Sequence, residues 1–81
     1  MRVRVLYFAV ARELAGVHEE TIDVGEGASV GDVRSAIAVR HPTLAATDAR
    51  LRVAKNESFA SDTDLVAEGD VIAIIPPVSG G

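Results

Sequence analysis

The order of predicted elements in this 81-residue sequence indicates an α+β domain, in which one main helix packs across one face of a mixed sheet of about five strands. Two apolar, strand-like stretches lie near opposite ends of the sequence, at residues 2–10 and 70–75. Between them, residues 29–41 carry apolar side chains at helical spacing. The chain is 48% hydrophobic and 25% charged, which is typical of a domain with a core.

The first strand is predicted from the alternation of residues 2–10. Val3, Val5 and Tyr7 fall on one face and are expected to be buried. Phe8 falls on the other face. An exposed Phe8 would indicate a partner surface, whereas coverage by the following segment is the alternative that the pattern leaves open.

A short helical turn over residues 11–16 and a second strand over residues 18–24 follow. Gly16 is expected to end the turn, because glycine adopts the left-handed conformation that closes many helices. Ile22 and Val24 are the predicted buried positions of the second strand, which we expect to pair with the first in antiparallel orientation.

The main helix is predicted to begin after Ser29, whose hydroxyl can cap the first turn with Asp32 in the capping-box position. Its apolar face comprises Val30, Val33, Ala36 and Ile37. Pro42 ends it, because the residue before a proline avoids helical geometry. His18 and His41 are interpreted as surface residues rather than metal ligands, since neither has a metal-binding partner at helical spacing.

Residues 43–50 are predicted to be an irregular crossing with one turn of helix, followed by a third strand over residues 51–54. A turn at residues 56–57 leads to a short edge segment that contains Phe59. Residues 65–66 are expected to pack beneath a further turn before the last strand begins.

The position of the helix between the first hairpin and the later strands favours a β-grasp arrangement. In this arrangement the first and last strands are parallel neighbours at the centre of the sheet. In the last strand Ile72 and Ile74 share one face, and Val71, Ala73 and Ile75 share the other. Phe8 and Ile75 are therefore expected to lie close together.

Composition restricts the function classes. The net charge is −4, and no cluster of lysine and arginine suggests a nucleic-acid partner, so a basic partner surface is more plausible. The absence of cysteine excludes disulfides, thiolate metal sites and a thiol nucleophile, and we predict no metal site. No apolar run is long enough to span a membrane and no signal-peptide pattern is present, so we predict a cytoplasmic protein without a membrane partner.

The last six residues are predicted to form a flexible tail on a domain of residues 1–75; they are Pro76, Pro77, Val78, Ser79, Gly80 and Gly81. The prolines stop the strand and stiffen the exit, because neither can donate a ladder hydrogen bond. Extended, the tail reaches roughly 20 Å. Its thin Gly-Gly tip suits a carboxylate that enters a narrow active site on another protein. A frayed end without function is the alternative.

Three blocks of the sequence resemble the small-subunit family of molybdopterin synthase (MoaD), whose members are ubiquitin-like sulfur carriers. The blocks are Leu6-Tyr7-Phe8-Ala9 with Arg12-Glu13-Leu14 and Gly16; Val53 with Asn56; and Glu68-Gly69-Asp70-Val71 leading into the tail. The resemblance covers essentially the whole sequence. Ile75 departs from it, since members often carry an aromatic residue there.

The resemblance implies that an adenylating enzyme of the ubiquitin-activating, MoeB type uses ATP to activate Gly81, which a sulfur donor then converts to a thiocarboxylate. It implies that the tail inserts into the large synthase subunit (MoaE) within a heterotetramer. There the sulfur attacks cyclic pyranopterin monophosphate. No permanently bound cofactor is implied, and catalytic side chains are expected on the large subunit. The resemblance adds Phe59 to Phe8 and Ile75 as a partner-binding patch.

Other functions stay open at this point. The same tail would serve a sulfur carrier for thiamine synthesis, cysteine synthesis or tRNA thiolation, although the Arg12-Glu13-Leu14 block and the two prolines favour the molybdenum pathway. A non-transferring ubiquitin-like binding module would need no free Gly-Gly end. A stand-alone enzyme is disfavoured, because the sequence contains no acid-base or nucleophile constellation.

Overall fold

The computed structural model describes residues 1–46 and 51–76. Within them the chain forms five strands and three helices, which are, in order, β1 (Arg2–Tyr7), α1 (Ala9–Ala15), β2 (Glu19–Asp23), α2 (Val30–Arg40), α3 (Pro42–Ala45), β3 (Arg52–Lys55), β4 (Ser58–Phe59) and β5 (Val71–Ile75). None of the helices in this part of the chain is long and apolar enough to cross a membrane.

The sheet has the strand order β2-β1-β5-β3-β4. β1 and β5 are parallel, with Leu6 opposite Ala73 and Tyr7 opposite Ile74. The other three pairs are antiparallel. This topology confirms the predicted β-grasp arrangement, including the parallel pairing of the first and last strands.

The core lies between the sheet and α2. Val3, Val5 and Tyr7 are at most 2% exposed, as their alternation along β1 predicts. Ile72 and Ile74 face them from β5. The helix contributes the buried residues Val30, Val33 and Ile37. Each fully buried side chain of this size stabilises the fold by about 1.5–3 kcal/mol.

The predicted capping box holds the start of α2. The backbone N–H of Asp32 donates to Ser29 Oγ at 3.2 Å, and the backbone N–H of Ser29 donates to Asp32 Oδ2 at 2.9 Å. Two amides that would lack helical partners are thereby satisfied, which contributes about 1 kcal/mol. The helix ends at Arg40, and Pro42 begins α3 after one intervening residue.

The hairpin turn between β3 and β4 explains why the sequence has an asparagine there. Asn56 and Glu57 have φ values of 50° and 74°, and asparagine is favoured in two-residue turns with two positive φ angles. The Asn56 side chain donates to Asp70 Oδ1 at 3.0 Å and accepts from the backbone N–H of Val71 at 2.9 Å. The bond from Asn56, and then that from the Ala67 amide, hold the pKa of Asp70 below its ordinary value. The turn is thus joined to the start of β5.

Two predictions of local structure were wrong. The first strand ends at Tyr7 rather than at residue 10, because Ala9 has a left-handed φ of 51° and the chain turns directly into α1. Leu65 was expected to be buried but is 63% exposed. Its neighbour Val66 is buried instead, since consecutive residues of an extended segment point to opposite sides.

Candidate functional site: the outer groove and the tail exit

The face of the sheet opposite α2 carries exposed apolar side chains. Alternation directs Ala73 and Ile75 of β5 away from the core, where each is half-buried. Phe8, immediately after β1, is 46% exposed, and Phe59 of β4 is 62% exposed. The exposure of Phe8 decides between the two interpretations of its position and excludes its role as a core residue.

Two adjoining depressions of about 420 and 250 Å³ cross this face, and we call them together the outer groove. Phe8, Glu57 and Ala73 line both of them. The remaining lining residues are Leu6, Asn56 and Val71 in the first depression and Ala54, Phe59 and Ile75 in the second. The groove therefore has an apolar floor contributed by four strands and the residue after β1.

The structure brings together the three residues of the predicted patch, since Phe8, Phe59 and Ile75 line the same depression. Their binding of a partner stays a prediction. Ile75 is the last residue of β5, and Pro76 follows it directly. The other predicted tail residues, Pro77, Val78, Ser79, Gly80 and Gly81, lie outside the described residues. The flexibility of the tail and the role of Gly81 therefore also stay predictions.

Local backbone contacts position the aromatic residues at the groove. The backbone N–H of Phe8 donates to the carbonyl of Ile74 at 3.2 Å, which joins the end of β1 to β5. Phe59 lies opposite Ala54 in the β3–β4 pair. The guanidinium carbon of Arg52 lies 3.9 Å from the centroid of the Phe59 ring, over its face. A cation in this position stabilises the ring by about 0.5–1 kcal/mol at an exposed site.

A polar cluster that the sequence interpretation missed lies on the helix side of the sheet. Glu20 Oε2 accepts from the hydroxyl of Tyr7 at 2.5 Å and lies 2.6 Å from His41 Nε2. Arg40 Nη1 donates to Glu20 Oε1 at 3.2 Å. The His41 side chain is only 14% exposed, so its interpretation as a surface histidine was wrong. Its partner comes from β2, not from its own helix.

One sequence signal could have revealed this cluster. Glu20 lies two residues before the buried Ile22 in β2, so alternation directs it toward the same face. An inward carboxylate near the core needs hydrogen-bond donors, and Tyr7 on the neighbouring strand and His41 at the helix end supply them. The choice of donors depends on the packing of α2.

The electrostatics of the cluster favour an ionised carboxylate. Burial acts to raise the pKa of Glu20, but the hydrogen bonds from Tyr7, His41 and Arg40 outweigh it and hold that pKa below its ordinary value. Burial, and then the bond to Glu20, raise the pKa of the Tyr7 hydroxyl above its ordinary value. The cluster therefore fastens the end of α2 to β1 and β2. Because Tyr7 and Glu20 are directed to the helix side, it does not contribute to the outer groove.

We expect Glu20→Gln to lower the free energy of unfolding at pH 7 by about 2 kcal/mol, the scale of hydrogen bonds to a charged group. Because the folded-state pKa of Glu20 is depressed, its stabilisation is present above the ordinary glutamate value of about 4.3 and is lost as the pH falls through the folded-state value. The difference between wild type and variant should therefore shrink below about pH 4 in urea titrations. Glu26→Gln, in an exposed loop, is the matched control. A difference that does not change with pH would contradict this account.

The ThiS family matches residues 5–81, which is nearly the whole sequence. The chain belongs to the ThiS family. Among its curated relatives is the molybdopterin synthase sulfur carrier subunit of Chlamydomonas reinhardtii, which is 41% identical with complete coverage of both chains. The family resemblance seen in the three sequence blocks is thereby confirmed.

Solved structures of other proteins have the same fold. SAMP1 of Haloferax volcanii aligns over 100% of both chains with a TM-score of 0.93 and 31% identity. A putative molybdopterin converting factor subunit 1 from Pyrococcus furiosus aligns over 96% of this chain and 99% of its own, with a TM-score of 0.88 and 37% identity. The β-grasp architecture of this ThiS family member is thus shared along its whole length.

Proposed function

We propose that this ThiS family member is the sulfur carrier subunit of a molybdopterin synthase, and that a C-terminal carboxylate on Gly81 is its reactive group. The structural observation that carries the proposal is the juxtaposition of the outer groove with the start of the tail. Ile75 lines the groove, and Pro76 leaves the sheet beside it. A partner that covers the groove is thereby positioned to receive the tail.

The chemistry of activation explains the simplicity of the tail. A carboxylate is a poor electrophile, so a MoeB-type enzyme transfers AMP from ATP to Gly81 and releases pyrophosphate. A hydrosulfide nucleophile attacks the acyl carbon, displaces AMP and leaves the thiocarboxylate directly. A persulfide donor first leaves an acyl disulfide, and a thiol then attacks the donor's sulfur, forms a disulfide with it and releases the thiocarboxylate. Glycine at residues 80 and 81 lets the backbone enter a narrow channel without side-chain clashes.

The large subunit of the synthase is the partner that accepts the sulfur. The groove contacts its surface through Phe8, Phe59 and Ile75, and Pro76, Pro77, Val78, Ser79 and Gly80 carry the thiocarboxylate into its active site. The Chlamydomonas relative is named a molybdopterin synthase sulfur carrier subunit, and it is 41% identical over the full length of both chains. This similarity supports the assignment over carriers for thiamine synthesis, cysteine synthesis or tRNA thiolation. The complex is a heterotetramer in the cytoplasm.

The catalytic side chains belong to the partner. In the described part of the chain the polar cluster around Glu20 is satisfied internally and is directed to the side of the sheet opposite the groove. No group of three potential metal ligands occurs among residues 1–46 and 51–76. The carrier contributes sulfur, tail position and affinity, and it holds no permanent cofactor.

Intact mass spectrometry of the chain purified from its own cells tests this proposal. We expect a fraction of the molecules to carry sulfur in place of one oxygen, and fragmentation to assign the change to Gly81. The fraction should disappear in cells that lack the activating enzyme, which is the matched control. A chain without this modification in cells that actively make molybdopterin would contradict the proposal.

A further inference from the structure

We propose that two opposite charges on the outer face orient the partner. Arg52, beside the groove at the tail exit, binds a carboxylate on the partner's surface, and Glu57, which lines the groove from the β3–β4 turn, faces a cation. The occupant is the apolar surface of the large synthase subunit, with an acidic residue at one border and a basic residue at the other. This inference rests on the proposed function, because it specifies the chemistry of the partner surface that meets the groove.

Arg52, the first residue of β3, lies beside the exit of the tail. It lies opposite Ile75 in the antiparallel β3–β5 pair, and Ile75 is the residue directly before Pro76. Its guanidinium rests over the Phe59 ring, which orders a side chain that is otherwise exposed. Because the N–H donors of a guanidinium lie in its plane, contact with an aromatic face leaves them available for a carboxylate.

The other arginines of the described chain are engaged differently. Four of them lie within 4.0 Å of a carboxylate, in the pairs Arg2–Asp23, Arg4–Glu19, Arg34–Asp62 and Arg40–Glu20. Arg12 contacts the ring of His18. Arg52 has no carboxylate at ion-pair distance among residues 1–46 and 51–76. A carboxylate of the partner can therefore bind Arg52 without breaking any ion pair seen among these residues.

Glu57 supplies the opposite charge. It lies in the exposed turn after β3, lines both depressions, and has no cation at ion-pair distance in the described residues. The nearby Lys55 instead donates to the carbonyl of Leu65 at 2.9 Å. Arg52 lies opposite Ile75 at the end of β5, whereas Asn56, the neighbour of Glu57, accepts a hydrogen bond from the backbone N–H of Val71 at the start of β5. Four strand steps, roughly 13 Å, separate these two positions along β5. The outer face thus carries a positive charge beside the tail exit and a negative charge in the groove nearer the turn.

This polarity matters because the apolar floor alone does not determine direction. A partner docked the wrong way round would keep its hydrophobic contacts but direct its active-site entrance away from the tail. It would also bring its basic residue toward Arg52 and its acidic residue toward Glu57, and such like-charge contacts act chiefly on specificity. The net charge of −4 attracts a basic partner at long range, whereas Arg52 requires a local carboxylate at contact.

The test is isothermal titration calorimetry of the full chain with the purified large subunit from the same organism. We expect Arg52→Glu and Glu57→Lys each to weaken binding about tenfold. Arg2→Glu is the matched control, because it changes the net charge as Arg52→Glu does but alters an arginine already paired with Asp23, and it should change affinity less than twofold. Phe8→Ala tests the apolar floor and should weaken binding by about tenfold or more.

The double variant Arg52→Glu with Glu57→Lys separates local from global charge, because it restores the net charge of −4 while reversing the groove. We expect it to bind more weakly than either single variant. Wild-type affinity for the double variant, or equal weakening by Arg2→Glu, overturns the proposal. The proposal is also overturned if the charge variants change only the self-association of the carrier and leave its affinity for the large subunit unchanged. Thermal unfolding of each variant checks that the fold is retained.

Failure of this inference is distinguishable from failure of the proposed function. If wild type binds the large subunit and Phe8→Ala weakens that binding while the charge variants match wild type, only the assignment of Arg52 and Glu57 falls. If wild type does not bind the large subunit, the proposed function and this inference fall together.

Discussion

Deleting Gly81 is expected to reduce adenylation of the carrier by at least about 100-fold while leaving its thermal stability unchanged. The deletion withdraws the carboxylate by about 3.3 Å along an extended chain. A displacement of only 1 Å at a reacting centre can cost about 100-fold in rate. The fold should persist, because the core cluster of residues 1–46 and 51–76 forms without any contribution from Gly81. Pyrophosphate exchange with the purified activating enzyme measures the effect.

Further variants in the same assay test separately the length of the tail and the space that its last residues need in the active site. Gly80→Val keeps the length of the chain but adds a branched side chain beside the terminus, and we expect a similar loss of exchange. Gly25→Ala is the control, because a Cβ at this loop glycine meets no atom within 4 Å. One residue added after Gly81 should also abolish exchange. In a non-transferring binding module, by contrast, the same addition would leave partner binding intact. Normal exchange by the chain that lacks Gly81 would disprove its role.

The chain with a chemically prepared Gly81 thiocarboxylate is expected to convert cyclic pyranopterin monophosphate in a single turnover when the large subunit is present. This turnover should require neither ATP nor the activating enzyme, because the leaving group that ATP provides is needed only to install the sulfur. The effect is all-or-none. Chromatographic detection of molybdopterin, or of its singly sulfurated precursor, measures the conversion.

Two controls define the division of labour in this reaction. The thiocarboxylated carrier alone should yield no product, since the substrate-binding and proton-transfer groups are assigned to the large subunit. The unmodified carrier with the large subunit should likewise yield none. Product formed by the isolated thiocarboxylated carrier would overturn this division. A requirement for ATP in the single turnover would place activation at a different step.

The sequence by itself determined the elements whose physics is local. Alternation along β1 identified Val3, Val5 and Tyr7 as core residues, because successive strand side chains point to opposite faces. Ser29 and Asp32 marked the start of α2, since a capping box involves residues only three apart. The position of this helix between two groups of strands was sufficient to predict the β-grasp topology.

Only the tertiary structure decided which side chains meet across those elements. Alternation placed Phe8 on the outer side, but its proximity to Phe59 and Ile75 depends on strand pairs that join distant parts of the sequence. The contact of His41 with Glu20 spans 21 positions, so a search at helical spacing could not find it. Periodicity determines the face on which a residue lies, whereas packing and strand register determine its neighbours. The groove and the partly buried carboxylate cluster both depend on those neighbours.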